Sequence, residues 1–167
     1  GNEIPGLTLN GAQVVITATC STELAGNPVA TIVIDCPKPK TDLAFRIGQN
    51  IYTSVLNIRC NDVWRCDVAD QDPATAGSMT EWYAGAYVSP NPKKLDSKMQ
   101  VRCVPEGTLV TLPTSSKIAD GDTSGQAGNS GQDFSIEFIQ DTEFDDPVLH
   151  GGHVYHIVVT FTAYITA

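Results

Sequence analysis

The feature that most constrains this chain is a two-residue alternation of apolar and polar side chains. It is clearest over residues 153–167, HVYHIVVTFTAYITA, where Tyr155, Ile157, Val159 and the alternate residues after them are almost all apolar. Successive side chains of a β-strand point to opposite faces of the sheet, so this segment is predicted to be a strand with one face in the core. Shorter runs of the same kind, each bounded by glycine, proline, asparagine or aspartate, occupy residues 15–17, 29–34, 51–59, 82–88, 99–103, 109–112 and 134–139.

The spacing of these runs predicts an all-β fold. Helical spacing with start and stop signals is not found in the sequence, while ten prolines and fourteen glycines interrupt it at intervals typical of a β-sandwich. With 167 residues, 41% of them hydrophobic, the chain is large enough for one domain with a substantial core. The longest stretch without a pattern, residues 113–132, is predicted to be a surface loop.

Charge and cysteine content narrow the classes of function. The formal net charge of -9, from 19 acidic and 10 basic residues, repels phosphate backbones and anionic headgroups, so no nucleic-acid or membrane-surface partner is expected. No apolar run has the length of a membrane span and no signal-peptide pattern opens the chain, so we expect a mature form from which any signal peptide has been removed. Five cysteines without a CxxC pair favour an oxidising compartment and hence a secreted protein.

Three histidines, His150, His153 and His156, form the cluster that most resembles a metal site. In a strand His153 and His156 point to opposite faces because their separation is odd, so we predict neither a metal nor a cofactor. Ser130 lies in the sequence GNSG and not in the GxSxG motif of a serine hydrolase. We therefore predict that the chain is not an enzyme.

The N-terminal residues carry a further short alternation. Leu7-Thr8-Leu9 precedes Gly11, and a second strand is predicted to begin at Gln13. A strand-like segment ahead of the first core strand can be an edge strand of its own domain or a strand donated to a neighbouring molecule.

The two ends of the chain carry motifs found together in one protein family. Residues 7–11, LTLNG, and then 14–20, VVITATC, have an alternating strand that ends in glycine and a first core strand that runs into a cysteine. Cys60 follows the first cysteine by 40 residues, and residues 134–139 and 163–167 are similar to a pair of closing strands. This combination resembles the chaperone-usher fimbrial subunits, the pilins of type 1-like pili.

The resemblance implies an immunoglobulin-like β-sandwich that is incomplete and is completed by a strand donated from a neighbour. Residues 1–12 would be the N-terminal donor-strand extension, and residues 13–167 would be the β-sandwich pilin domain. The side chains that would fill the neighbour's groove are those of Ile4, Leu7 and Leu9. Gly11 would be the position at which the donor strand approaches the groove most closely.

The function that the resemblance implies is that of a structural subunit. Such a subunit belongs to an extracellular pilus or fimbria on the bacterial surface, which it reaches through the periplasm, and it supports adhesion. Its partners would be further copies of itself, a periplasmic chaperone and an outer-membrane usher during assembly, and a host glycan or protein receptor. Because donor-strand exchange joins the head of one subunit to the tail of the next, the polymer would be an open filament.

The resemblance also implies a disulfide bond between Cys20 and Cys60. For a second bond we favour Cys66 with Cys103, because Cys36 stands next to a proline and is expected in a loop. Any of the five cysteines can be left over and the other four can pair in three ways, so the connectivity stays open.

Two other functions are compatible with a secreted β-sandwich. One is a monomeric binding module, an adhesin or carbohydrate-binding domain, in which Trp64, Trp82 or Tyr87 stacks on a sugar ring. The other is a viral or phage coat protein, which would share the sandwich and the exchange of arms but would assemble into closed shells.

Overall fold

The computed structural model describes residues 7–10, 13–121 and 130–167, with side chains from residue 17 onward. The described residues form thirteen β-strands in four sheets and contain no α-helix, which confirms the predicted all-β fold. The strands are β1 (Leu7–Asn10), β2 (Gln13–Ile16), β3 (Ile32–Asp35), β4 (Gly48–Cys60), β5 (Trp64–Asp70), β6 (Thr80–Tyr83), β7 (Ala86–Tyr87), β8 (Gln100–Cys103), β9 (Thr108–Thr111), β10 (Ser116–Gly121), β11 (Gln132–Thr142), β12 (Val154–His156) and β13 (Val159–Ile165).

Two antiparallel sheets make the β-sandwich. The larger has the strand order β3-β4-β11-β8-β9, and the smaller has the order β10-β5-β13. Alternate residues of the strands face inward, as the period-two pattern predicts, and they share one core. Trp64 of the smaller sheet meets Phe134 of the larger sheet edge to face, with 5.6 Å between ring centroids. The fully buried apolar side chains include Leu56, Ile58, Cys66, Val68, Val101, Cys103 and Ile136.

Two smaller sheets accompany the sandwich. Strands β12, β6 and β7 form one of them, with Val154 opposite Trp82 and His156 opposite Thr80. Strands β1 and β2 form the other, and their register pairs Leu7 with Ile16. This β1–β2 hairpin is not hydrogen-bonded to any other described strand.

The predicted surface loop over residues 113–132 is wrong for seven of its residues. Gln132 begins β11, and residues 116–121 form β10, which pairs with β5 and carries the buried side chains Ile118 and Ala119. This segment forms a strand because β5 supplies its hydrogen bonds. A register shift between Lys117 and Ala119 turns two successive apolar residues inward, so the buried residues do not alternate with exposed ones. The short run of two apolar residues therefore gave no periodic signal.

The segment 153–167, predicted as one strand, is divided into β12 and β13. These two strands belong to different sheets, since β12 pairs with β6 and β13 pairs with β5. The sequence analysis also missed β5, although its alternate residues Trp64, Cys66 and Val68 are all buried. No helix among the described residues is long and apolar enough to cross a membrane.

Candidate functional site

An unpaired strand edge runs along much of β4. On one side β4 pairs with β11 over residues 48–58. On the other side β3 pairs only with residues 57–60, so residues 48–56 have no strand partner on that side within the described part of the chain. An edge of this kind presents backbone N–H and C=O groups to which a further strand can bind.

The segment 36–47 runs beside this edge without joining the sheet. Its contacts with β4 use side chains: the Lys38 amide donates to Ser54 Oγ at 2.9 Å, and the Tyr52 hydroxyl donates to the Lys38 carbonyl at 2.9 Å. Pro37 and Pro39 have no backbone N–H to donate, which opposes a continuous ladder here. The segment thus borders the open edge of β4 and leaves its ladder unfilled.

A second unpaired edge belongs to β13. This strand pairs with β5 along one side, and none of the described strands pairs with its other side. Its core-facing residues Val159, Phe161, Ala163 and Ile165 are apolar but only half-buried, whereas the core-facing residues of β5 are fully buried. The core is therefore open along this side of the sandwich.

A groove of about 690 Å³, which we call the edge groove, is lined by Tyr52 of β4 and Phe161 of β13 together with residues of the segment 36–47. Its floor is aromatic: Tyr52 stacks on Phe138 with centroids 5.9 Å apart, and Phe161 meets Phe138 edge-on at 6.2 Å. Further apolar side chains that line it are Leu43, Phe45, Ile47, Leu95, Ile157 and Val159. Since apolar surface exposed to water costs about 25 cal/mol per Å², covering this groove would be favourable.

One wall of the edge groove comes from β6 and β12. The rings of Trp82 and His156 stack at 4.0 Å, and His156 Nδ1 lies 3.0 Å from the hydroxyl of Tyr87 in β7. Burial lowers the pKa of His156, and burial raises the pKa of Tyr87 to about 12. Both side chains are therefore held in their neutral forms at neutral pH.

A second histidine, His153, lies beside the same small sheet and also contacts an aromatic ring. His153 stacks on Tyr83 at 4.2 Å, and its Nδ1 lies 2.8 Å from Glu81 Oε2. The Lys93 backbone N–H donates to Glu81 Oε1 at 3.0 Å. This hydrogen bond is the main cause that lowers the pKa of Glu81, and the contact with His153 lowers it further. No three histidine, cysteine or acidic side chains of the described residues come close enough together to hold a metal ion.

Residues 17–31 form an exposed segment that we call the arm. Every residue in it is exposed, including the apolar Leu24 at 91% and Val29 at 80%. It is fixed to the sandwich only near its end, where Asn61 accepts from the Thr31 N–H at 2.8 Å and donates to the Val29 carbonyl at 2.9 Å. The arm connects the β1–β2 hairpin to β3 without packing on the core.

The four predicted donor-strand residues are divided between described and undescribed parts of the chain. Leu7 and Leu9 lie in β1, where strand pairing aligns them with Ile16 and Val14. Ile4 and Gly11 lie outside the described residues.

The five cysteines are thiols in this structure. Cys20 and Cys36 are exposed, whereas Cys60, Cys66 and Cys103 are buried. The predicted pairs Cys20–Cys60 and Cys66–Cys103 are not bonded here and stay predictions. Burial raises the pKa of the Cys66 thiol to about 12 and also raises that of Cys103.

The three aromatic residues proposed for sugar stacking have different positions. Trp64 is 1% exposed and packs in the core, so neither face of its ring is open to a ligand. Trp82 lines the edge groove, and the ring of Tyr87 contacts the ring of Trp82 edge-on, with centroids 4.8 Å apart. Of the three, Trp82 is the one that lines the groove.

The residues that form the groove were not predicted from the sequence. A signal was present over residues 43–47, where Leu43, Phe45 and Ile47 alternate with Ala44 and Arg46, because such alternation places the larger apolar side chains on one face of an extended segment. Comparisons of the chain with protein-family models, with curated proteins and with solved structures found no match.

Proposed function

We propose that this protein is a structural subunit of an extracellular pilus or fimbria that polymerises by donor-strand exchange. A strand from the N-terminal residues of one copy enters the edge groove of the next copy and completes its sandwich. The fold of each subunit is then an immunoglobulin-like sandwich that one chain leaves incomplete.

The observation that carries this proposal is the open core between two unpaired strand edges. Residues 48–56 of β4 and one side of β13 both offer backbone groups, and the half-buried Phe138 and Phe161 line the groove. An added strand would gain ladder hydrogen bonds from the edges and apolar contacts from alternate side chains. Each net hydrogen bond contributes about 1 kcal/mol, so a strand of several residues binds strongly.

The arm supports the same proposal from the other side of the interface. Its 15 residues can span up to about 50 Å when extended. A sandwich of the size formed by residues 32–167 is roughly 35–40 Å across. The hairpin that the arm carries can therefore reach a groove on a neighbouring molecule.

The geometry of such an exchange determines the kind of assembly. The groove and the arm are different surfaces of one chain, so each contact joins unlike surfaces and leaves a free groove at one end and a free arm at the other. The result is a filament with partners of two kinds: copies of the chain itself, and the assembly factors that hold an unfilled groove, a periplasmic chaperone and an outer-membrane usher. We place the filament outside the bacterial cell, where it would bind a host glycan or protein receptor.

The test compares the full chain with a chain that lacks residues 1–12. The full chain is expected to form fibres visible by negative-stain electron microscopy. The truncated chain, refolded with a synthetic peptide of residues 1–20, is expected to give a soluble one-to-one complex that forms no fibres. Fibres from the truncated chain in undiminished amount would overturn the proposal.

Point variants provide the matched control. Leu7→Arg with Leu9→Arg places charges on the apolar face of the donor strand, whereas Thr8→Arg places one on its other face. The double variant is expected to abolish fibres and Thr8→Arg to retain them. Closed shells of the full chain would indicate a coat protein, and a stable monomer with an empty groove would indicate a binding module; either result would contradict the proposal.

A further inference from the structure

We propose that Cys20 of one chain forms a disulfide bond with Cys36 of the next, so that the fibre is locked covalently. This inference rests on the proposed function, because it requires the arm of one copy to enter the edge groove of another. It is an alternative to the predicted Cys20–Cys60 bond, because Cys20 can form only one of the two.

The first support is the difference in accessibility among the five thiols. Cys20 and Cys36 are exposed, and the three other cysteines are buried. A thiol reacts as its thiolate, and the pKa of about 12 that burial gives Cys66 leaves almost no thiolate at neutral pH. The two exposed cysteines are therefore the two that a soluble oxidant can reach.

The second support is the position of these two residues on the two halves of the interface. Cys36 comes directly after β3 and lines the edge groove. Cys20 lies on the arm, 11 residues before Thr31, where the arm is fixed to its own sandwich. Eleven extended residues span about 36 Å, which is close to the width of one sandwich.

The bond forms by thiol–disulfide exchange with a small disulfide such as oxidised glutathione. The Cys36 thiolate attacks the glutathione disulfide and releases one glutathione thiol, which leaves a mixed disulfide on Cys36. The Cys20 thiolate of the neighbouring chain attacks the Cys36 sulfur and releases the second glutathione. Two protein thiols are oxidised to one disulfide, and one glutathione disulfide is reduced to two thiols.

The experiment assembles the full chain in two buffers, one with dithiothreitol and one with a glutathione redox pair, and resolves the chains on a non-reducing denaturing gel. Fibres are expected by electron microscopy in both buffers. A ladder of covalent oligomers that contains most of the chains is expected only in the glutathione buffer. Cys20→Ser and Cys36→Ser, both changes at exposed positions, are each expected to return all of the protein to the monomer band while fibres persist.

The series of covalent oligomers on the gel distinguishes a Cys20–Cys36 bond between chains from other cysteine pairings. A Cys20–Cys20 bond would stop at dimers and would survive Cys36→Ser, whereas a Cys20–Cys36 bond between chains continues along the filament. Peptide mapping by mass spectrometry should recover the Cys20–Cys36 pair. Fibres without a ladder, or a Cys20–Cys60 or Cys36–Cys66 pair within one chain, would overturn the inference and leave the proposed function standing; a lack of fibres in both buffers would overturn the proposed function itself.

Discussion

His156 is a titratable residue of the edge groove that its surroundings keep uncharged. Its ring stacks on Trp82, and its Nδ1 lies within hydrogen-bond distance of the Tyr87 hydroxyl. An imidazolium ion at this place would lose water that the aromatic rings do not replace, so burial lowers the pKa of His156. The carboxylate on the same small sheet, Glu81, contacts His153 instead. The part of the groove formed by Trp82 and His156 is therefore uncharged at neutral pH.

The lowered pKa of His156 predicts a loss of stability in mild acid. The unfolded chain takes up this proton near pH 6.5, while the folded chain takes it up only at lower pH. Between these two values the unfolded state binds more protons, so the free energy of unfolding falls as the pH falls, by no more than about 1.4 kcal/mol per pH unit for one group. Urea denaturation at a series of pH values should show a smaller decline for His156→Gln than for the wild type.

His150→Gln is the control for this prediction, because His150 is exposed in the loop before β12. The free energy of unfolding of the His150→Gln variant should change with pH in the same way as that of the wild type. If His156→Gln and the wild type declined in parallel, the burial of His156 would have no effect on the pH dependence.

At the scale of strands, the edge groove results from a mismatch of lengths. β4 has 13 residues and β3 has 4, so the shorter strand covers only one end of the longer one. The chain then continues through residues 36–47, whose prolines oppose further pairing. An edge of β4 and the apolar side chains beneath it are left open as a consequence. The proposed donor-strand exchange would use that same mismatch.

Phe161 provides the prediction that belongs to β13. Its ring contacts Phe138 in the floor of the groove and is only half-buried, so an added strand would bury more of it. Phe161→Ala removes apolar contacts worth about 1–2 kcal/mol in the filled groove, and the affinity for a labelled peptide of residues 1–20 should fall by about tenfold or more. Fluorescence anisotropy with the chain that lacks residues 1–12 measures this affinity.

Thr162→Ala is the matched control for Phe161→Ala. Thr162 is the next residue of the same strand, is exposed, and points to the opposite face. Its replacement should leave the peptide affinity within about twofold of the original, a difference of less than 0.5 kcal/mol by the usual conversion. Equal losses from both variants would mean that the peptide does not bind against the inner face of β13.

The sequence predicts those strands in which apolar and polar residues alternate. It does not predict a strand that forms only because a neighbouring strand supplies its hydrogen bonds. Residues 51–59 and 134–139 alternate clearly, and they form β4 and β11 at the centre of the larger sheet. β10 has two adjacent apolar residues and depends on β5 for its pairing, so no local pattern reveals it. The edge groove is a property of strand order and strand length together, which the alternation of one segment does not contain.

At the scale of the whole molecule, charge opposes the association that the groove and the arm favour. The chain carries a formal net charge of -9. Copies that approach one another repel at long range, and the repulsion is screened over about 10 Å at 0.1 M salt. The contacts proposed for the donor strand are apolar contacts and backbone hydrogen bonds, which salt weakens little. Net charge should therefore control how fast subunits meet more than how tightly they hold.

Assembly is accordingly expected to accelerate with salt. Light scattering should show fibre growth at least about tenfold faster in 0.5 M than in 0.02 M sodium chloride, because electrostatic effects on association rates reach 10-fold or more at low ionic strength. The affinity for the groove of the donor peptide, in which Glu3 is the only acidic side chain and no side chain is basic, should change far less between the same two salt concentrations. Growth that slows as salt rises would show that an attraction between opposite charges drives the meeting of subunits, and the acidic surface would then have to face a basic patch on the neighbouring copy.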